Sequence, residues 1–285
     1  MLNLAPIEPV DYLIIGHLTQ DLTANGTVLG GTASYAARTA LAIGLRVGIV
    51  TSCAKDINLD DLKGASISMR QADYSSTFEN IQTPNGRVQY IHHVASELDY
   101  SMVPVTWRNT PIVHLGPVAQ EVDPRLARAF SESQVYLTPQ GWLRSWNSDQ
   151  QIHPTDWPEA RFVLENADAA VLSIEDVQGD ESRIEDMLAS IPVLVVTEGA
   201  RGSRLYWNGD LRYFKPPAVV EVDPTGAGDV FAAAFFIRLS QTRDPWEAAR
   251  FATLLAATSV TRPGLAGTPT ADEVQAALLE IISKV

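Results

Sequence analysis

The chain has 285 residues, enough for one large α/β domain or two small ones, and at 46% hydrophobic it can bury a substantial core. Its net charge is −13 with no basic cluster or arginine-rich run, which excludes nucleic acid and an anionic membrane as partners and leaves any polyanion site to local backbone donors and a few side chains. One cysteine, Cys53, excludes an intrachain disulfide framework and a cysteine metal cage, and fits a cytoplasmic setting. The opening MLNLAPIEPVDYLIIG has no basic region before its apolar run, so no signal peptide is expected, and no apolar stretch reaches membrane-spanning length.

In chain order, short apolar runs at Tyr12–Gly16, Val47–Ser52, Ile112–Leu115, Val135–Thr138, Ala170–Ser173 and Val193–Thr197 predict buried strands. Helical patterns at Thr32–Leu45, Pro124–Ser133 and Glu181–Ser190 lie between several of them. This alternation predicts a mostly parallel sheet covered on both faces, with ligands beyond the carboxyl ends of the strands. Ser203–Trp207 and Leu211–Phe214 flank Asn208-Gly209, a hairpin signal. Val230–Leu239 is apolar nearly all round and predicts a buried central helix. Pro245–Val260 and Ala271–Ser283 close the chain as helices. Two segments leave this scheme: polar, turn-like His17–Leu29, and Ser75–Met102 with its Pro84-Asn85-Gly86 turn. They predict a small flap over the cleft (segments 17–29 and 75–102) on one domain spanning 1–285.

The run Glu221-Val222-Asp223-Pro224-Thr225-Gly226-Ala227-Gly228-Asp229 reads as a strand end, a glycine turn and a helix start. Gly226 and Gly228 let backbone approach a ligand closely, and the first helical turn offers unpaired N–H groups at the positive end of the dipole. That is an anion site, and phosphate is its usual tenant. A carboxylate at Asp229 repels an anion unless it takes a proton from an attacking hydroxyl, which is what phosphoryl transfer requires beyond positioning. The plainer alternative is a type I turn with an acid in the first helical turn.

Gly30-Gly31 opens the first clear helix and can aim backbone donors at the cleft. Asp21 follows the first strand, where a carboxylate can accept bonds from polyol hydroxyls or simply face solvent. Thr197-Glu198-Gly199-Ala200-Arg201-Gly202 can hold nucleotide phosphates or form an ordinary turn into the hairpin. An adenine pocket is expected between Pro216–Val222 and the helix bearing Thr253. No Walker-type loop, Gly-x-Gly-x-x-Gly after the first strand, His-Glu-x-x-His or Gly-x-Ser-x-Gly is present. His92 and His93 on one strand point to opposite faces, so they cannot readily share a metal. Trp107, Trp142, Trp146 and Trp157 read as packing.

With Gly30-Gly31 opening an early helix and Asp223–Asp229 a late one, the chain resembles the ribokinase/phosphofructokinase-B family of carbohydrate kinases. Thr197-Glu198-Gly199 and Ser259–Gly264 match further family positions. The resemblance implies a three-layer α/β/α domain with a mostly parallel sheet and a small, reduced β-lid. It implies transfer of the ATP γ-phosphoryl group to a hydroxyl of a small sugar or polyol, with Mg²⁺ and possible use of a monovalent cation, by a monomer or homodimer. It places Asp229 as general base, and Gly226, Ala227 and Gly228 as anion hole. Asp21, Gly30, Gly31, Tyr35, Arg87 and Gln140 fall on the acceptor side. Thr197, Gly199, Gly202, Val222, Thr225 and Thr253 fall on the nucleotide side. Tyr35 and Thr253 stand where the family has asparagine. The Asn-x-x-Glu linked to Mg²⁺ falls at Glu175-Asp176-Val177-Gln178, where Glu175 could act through metal-bound water. Thr77–Asn80, Gly86–Tyr90 and Pro139–Arg144 are similar to the inositol-kinase-like branch. A phosphosugar would need convergent cations, and Arg38 and Arg87 are the near candidates. A nucleoside kinase of this fold, or a non-catalytic nucleotide or sugar sensor, is the remaining alternative.

Overall fold

Every residue of β1 (Tyr12–Ile15) is buried, and successive side chains of a strand point to opposite faces. Tyr12 and Ile14 accordingly join one apolar cluster, and Leu13 and Ile15 another. A strand apolar on both faces belongs in the middle of a sheet that is covered twice. The computed structural model, which describes residues 7–24, 26–83 and 86–279, places it there.

After β1 come β2 (Thr19–Thr23) and β3 (Gly26–Gly30), a hairpin, then α1 (Thr32–Ile43), β4 (Val47–Cys53) and β5 (Ser66–Gln71). β6 (Ser76–Thr83) and β7 (Gly86–His93) form a second hairpin, followed by β8 (Ile112–Leu115) and β9 (Gln134–Leu137). A short hairpin of β10 (Arg144–Trp146) and β11 (Ile152–Pro154) precedes α2 (Ala160–Glu165), β12 (Ala169–Ser173), α3 (Glu181–Leu188) and β13 (Val193–Thr197). β14 (Ser203–Trp207) and β15 (Asp210–Phe214) turn at Asn208-Gly209, both at positive φ as that turn requires. Three helices end the described chain: α4 (Ala227–Thr242), α5 (Pro245–Ser259) and α6 (Ala271–Leu279).

The central sheet has nine strands in the order β15-β14-β13-β12-β9-β8-β1-β4-β5, with every pairing parallel except those that β14 makes with β13 and β15. One face is covered by α1, α4 and α5, the other by α2, α3 and the connections around Trp107, Leu126 and Trp142. α4 is buried from Val230 to Ile237, because it packs between α1 and α5 as well as on the sheet. β2, β3, β6 and β7 pair as a separate four-stranded sheet in the order β3-β2-β6-β7, standing at the carboxyl end of β1. The turn-like reading of His17–Leu29 is thus corrected to a strand pair. The helix expected at Pro124–Ser133 is only a 3₁₀ turn at Pro124–Arg128, held by bonds from Leu126 N to Asp123 O and from Ala129 N to Leu126 O. That tight winding drops Leu126, Ala127 and Phe130 onto the sheet within a short connection. The part of Ala271–Ser283 after Leu279 lies outside the described residues.

The joint between the sheets is polar and buried. Glu121 accepts from three backbone amides: His17 N (3.0 Å), Val118 N (3.0 and 3.1 Å) and Ala119 N (2.7 Å). The His17 ring meets Ser76 Oγ at 2.7 Å and Ser96 O at 2.9 Å, tying both ends of the β6–β7 excursion to the end of β1. Removing the carboxylate leaves buried donors unpaired, at about 1–3 kcal/mol each where water cannot reach them. Glu121→Ala is therefore expected to lose on the order of 3 kcal/mol or more in urea unfolding, with Glu121→Gln losing less. Equal stability of Glu121→Ala and the parent chain would refute this account of the joint.

Candidate active site

Strand order reverses beside β1, whose chain neighbours diverge to β4 on one side and β8 on the other. Such a switch point opens a crevice at the carboxyl ends of the strands. Here Gly16 and Gly116 end β1 and β8 in close contact: a Cβ on Gly16 would lie 2.4 Å from Gly116 O. Thr32, the first residue of α1, sits over this point, 2.8 Å from where a Gly116 Cβ would be. Its hydroxyl donates to Asp229 Oδ1 at 2.6 Å, joining the early and late helix starts.

Asp229 lies on the floor of a cavity of about 140 Å³ between the central sheet and the lid. The lid's underside faces it with Thr19, Asp21, Phe78, Asn80 and Gln89. Strand pairing explains the grouping: Asp21 pairs with Phe78 and Asn80 with Gln89, and residues two apart share a face. Gln140 and Arg144 close another side, and Gly31, Tyr35, Thr225 and Gly226 complete the lower wall. Burial pushes the Asp229 carboxyl up to about 6. The Thr32 hydrogen bond and the Arg144 charge oppose that rise, while Asp176 and Asp21 add to it.

The start of α4 is shaped by contact with α1. Gly226 caps it at φ 77°, and a Cβ there would lie 2.1 Å from the Tyr35 ring. The Tyr35 ring therefore packs directly under the glycine turn, and burial together with nearby Asp229 keeps its phenol protonated. The helical ladder begins at Val230 N to Gly226 O (2.9 Å), so the Gly228 and Asp229 amides precede its first rung. Ala227 N instead reaches Pro224 O at 3.2 Å. Asp223 pins the turn, accepting from Thr225 N (2.9 Å) and Gly264 N (2.8 Å). Burial raises the Asp223 pKa, but its bonds to Thr225 and Gly264 more than offset this and hold it below the usual range.

Gly30 does not line the cavity but backs it, since a Cβ there would meet Asp21 Oδ2 at 2.4 Å. Of the nucleotide-side residues Thr225 lines the cavity, and the other five lie away from it. Thr197 Oγ1 donates to Leu172 O (3.3 Å), and Thr253 Oγ1 to Ala249 O within α5. Val222 is 60% exposed and pairs its N–H with Val260 O. Gly199 and Gly202 sit at positive φ, and Gly202 has a packing reason as well: its Cβ would lie 1.9 Å from Phe214 O. Glu175 is exposed and outside the cavity, and the described residues contain no cluster of three or more metal-ligand side chains. Asp176 is committed to Ser173 N (2.9 Å) and Gln140 Nε2 (3.0 Å). Arg38 is turned to Thr268 Oγ1 (2.7 Å) and Asp61, so it is not an acceptor-site cation. The side chain of Arg87 lies outside the described residues. His92 meets Glu79 and Gln150 while His93 stacks on Tyr74, so the pair does not converge. Asn80, Gln89 and Arg144 lie in the segments similar to the inositol-kinase-like branch, but the sequence assigns them no individual role, and it does not single out Thr19.

The geometry is a carboxylate poised beside a helix start, at the base of a small polar cleft under a β-lid. Its fold is ribokinase-like: a pyrophosphate-dependent kinase in the ribokinase family, complexed with a pyrophosphate analog and myo-inositol, superposes with a TM-score of 0.76 at 16% identity over 93% of this chain and 99% of that one. Residues 157–271 match the model of the pfkB family carbohydrate kinases. That match takes in the late glycine turn and the helix it opens, and members of the pfkB family are phosphotransferases with hydroxyl acceptors. The chain is 26% identical over 277 residues to the cytidine kinase of Thermococcus kodakarensis, covering 85% of this chain and 92% of that one. It is 40% identical over 72 residues to inositol 3-kinase of Zea mays, covering 25% of this chain and 19% of that one.

Proposed function

We propose that this enzyme transfers the γ-phosphoryl group of ATP to a hydroxyl of a single-ring polyol or sugar, with an inositol-like acceptor favoured. The observation that carries the reading is Asp229, held by Thr32 under a cavity whose polar walls include Asp21, Asn80, Gln89, Gln140 and a single arginine, Arg144. Carboxylates and amides suit neutral hydroxyls, since together they both accept and donate. The cavity of about 140 Å³ is well below the roughly 300–1,000 Å³ of sites for drug-sized ligands. One ring suits it, and the additional base of a nucleoside does not. With Arg38 committed elsewhere, Arg144 is the one cation among the described lining residues, short of the convergent pair that a phosphosugar would need.

In this reading the acceptor hydroxyl gives its proton to Asp229 as its oxygen bonds to the γ-phosphorus. The bond to the leaving oxygen of ADP breaks, and ADP departs with that electron pair. The Gly228 and Asp229 amides and the positive end of α4 face the transferring group. Val220 and Val222, 81% and 60% exposed, offer apolar surface that a purine can cover and pyrophosphate cannot, which favours ATP as donor. Mg²⁺ would supply charge neutralisation of the donor phosphates. The described residues build no cage for it, so it fits only as an ion carried largely by phosphate and water, with exposed Glu175 reaching it through water.

A coupled assay with myo-inositol, ribose, fructose and cytidine, each with Mg-ATP or Mg-pyrophosphate, tests the proposal. Phosphorylated myo-inositol or a hexose formed from ATP is the expected result. Preference for cytidine would overturn the size argument, and preference for pyrophosphate the donor argument. Tight binding without product would favour the sensor.

A further inference from the structure

Arg144 reaches the cleft from an element outside the lid and outside the helix starts. It opens β10, whose hairpin with β11 pairs Arg144 with Pro154 and Trp146 with Ile152. The hairpin's far end is fastened to the lid's edge: Ile91 N donates to Gln150 O at 2.9 Å, and Tyr90 bridges to Gln151. Its near end is fastened to the connection after β8, where Gln120 Nε2 donates to Arg144 O and Arg144 Nη1 donates to Val118 O at 3.3 Å. The hairpin is thus fastened at both ends, and Val118 O holds the guanidinium at the cavity wall. Among the described residues lining that cavity, Arg144 is the cation.

The start of α4 and the Thr32 hydroxyl favour the charge on Asp229, and other groups around it work against that charge. Asp21 from β2 and Asp176 from the turn after β12 are like charges, and burial adds its own penalty. Tyr12 from β1 and Tyr35 from α1 are neutral phenols. Thr32 from α1 offers one hydrogen bond. Burial and like charges raise a carboxyl's pKa, and a nearby cation opposes the rise.

We propose that Arg144 is the positioning residue that keeps Asp229 in its carboxylate form, ready to receive the acceptor's proton. This rests on the reading of Asp229 as the base, but it can be tested without any substrate. With ¹³C-carboxyl-labelled aspartate and Asp229→Asn to assign the resonance, the Asp229 titration can be followed by NMR. In the parent protein its midpoint is expected at about 6. In Arg144→Gln the midpoint should rise by about 1 pH unit or more, the usual effect of losing a close opposite charge. Arg144→Lys should bring it most of the way back. Arg144→Met keeps the aliphatic stem and serves as a second neutral variant should the glutamine protein fold poorly. An unmoved midpoint in the neutral variants overturns the proposal, and so does a rise in Arg144→Lys as large as in Arg144→Gln. Because no turnover is measured, failure here leaves the assignment of Asp229 as base standing. Loss of that assignment would in turn leave the titration result intact.

Discussion

Asp229→Asn is expected to lower kcat by about 10²- to 10⁴-fold while leaving acceptor and donor binding nearly unchanged, the scale on which a general base contributes. Asparagine keeps an oxygen where the Thr32 hydroxyl donates at 2.6 Å, so the local geometry should survive. The proton-accepting form exists only above the carboxyl's pKa, which burial raises to about 6. Turnover of the parent enzyme should therefore rise with pH through that value, and the residual activity of the variant should lack this limb. Stability should move the other way. The folded protein holds this proton more tightly than the unfolded chain does, at about 6 against an ordinary 3.8. The group's contribution is then fully present below pH 3.8 and is lost as pH rises through 6. At neutral pH the ionised carboxylate costs the fold on the order of 1–3 kcal/mol, the lower end applying because the cleft admits water. Asp229→Asn should accordingly melt higher than the parent at pH 7.5 and equally at pH 4. A variant that retains both its turnover and the acid limb would place the base elsewhere.

Local signals carried most of what was legible beforehand. The glycine turn, the helix start and the acid of Asp223–Asp229 lie within seven residues, so their joint meaning is visible in one stretch. The buried strands announced themselves because a sheet covered twice needs runs apolar on both faces, as in β1 and β13. What remained hidden depends on pairing across the chain. Thr32 reaches Asp229 over 197 positions, and nothing around either residue specifies the other. Asn80 and Gln89 become site residues only once their register across β6 and β7 is known. Arg144 belongs to a three-residue strand too short to show any period. In Thr197–Gly202 a pattern suggestive of phosphate also has, at Gly202, a packing cause in the close approach to Phe214.

The two glycines of the late motif should respond oppositely to alanine, and the contrast tests where the transferring group sits. Gly226 is at φ 77°, strained for any L side chain by about 1 kcal/mol, and its added methyl would collide with the buried Tyr35 ring. Overpacking of that kind costs a further 1–3 kcal/mol or so, so Gly226→Ala should lose roughly 2–4 kcal/mol in urea unfolding. Much of that loss should vanish in a Tyr35→Ala background, because the two residues touch and their effects cannot add. Gly228 has nothing within 4 Å of its would-be Cβ and lies inside the first turn of α4. Alanine there suits a helix better than glycine by up to about 1 kcal/mol, so Gly228→Ala should be as stable as the parent or slightly more so. In the proposed reaction its methyl would nevertheless stand beside the amides that receive the donor's phosphoryl group. A fall in kcat of roughly 10²- to 10³-fold is expected, comparable to losing one donor of an oxyanion site. If Gly228→Ala turns over as fast as the parent, the start of α4 is not where the phosphoryl group is held, whatever Gly226→Ala does to the fold.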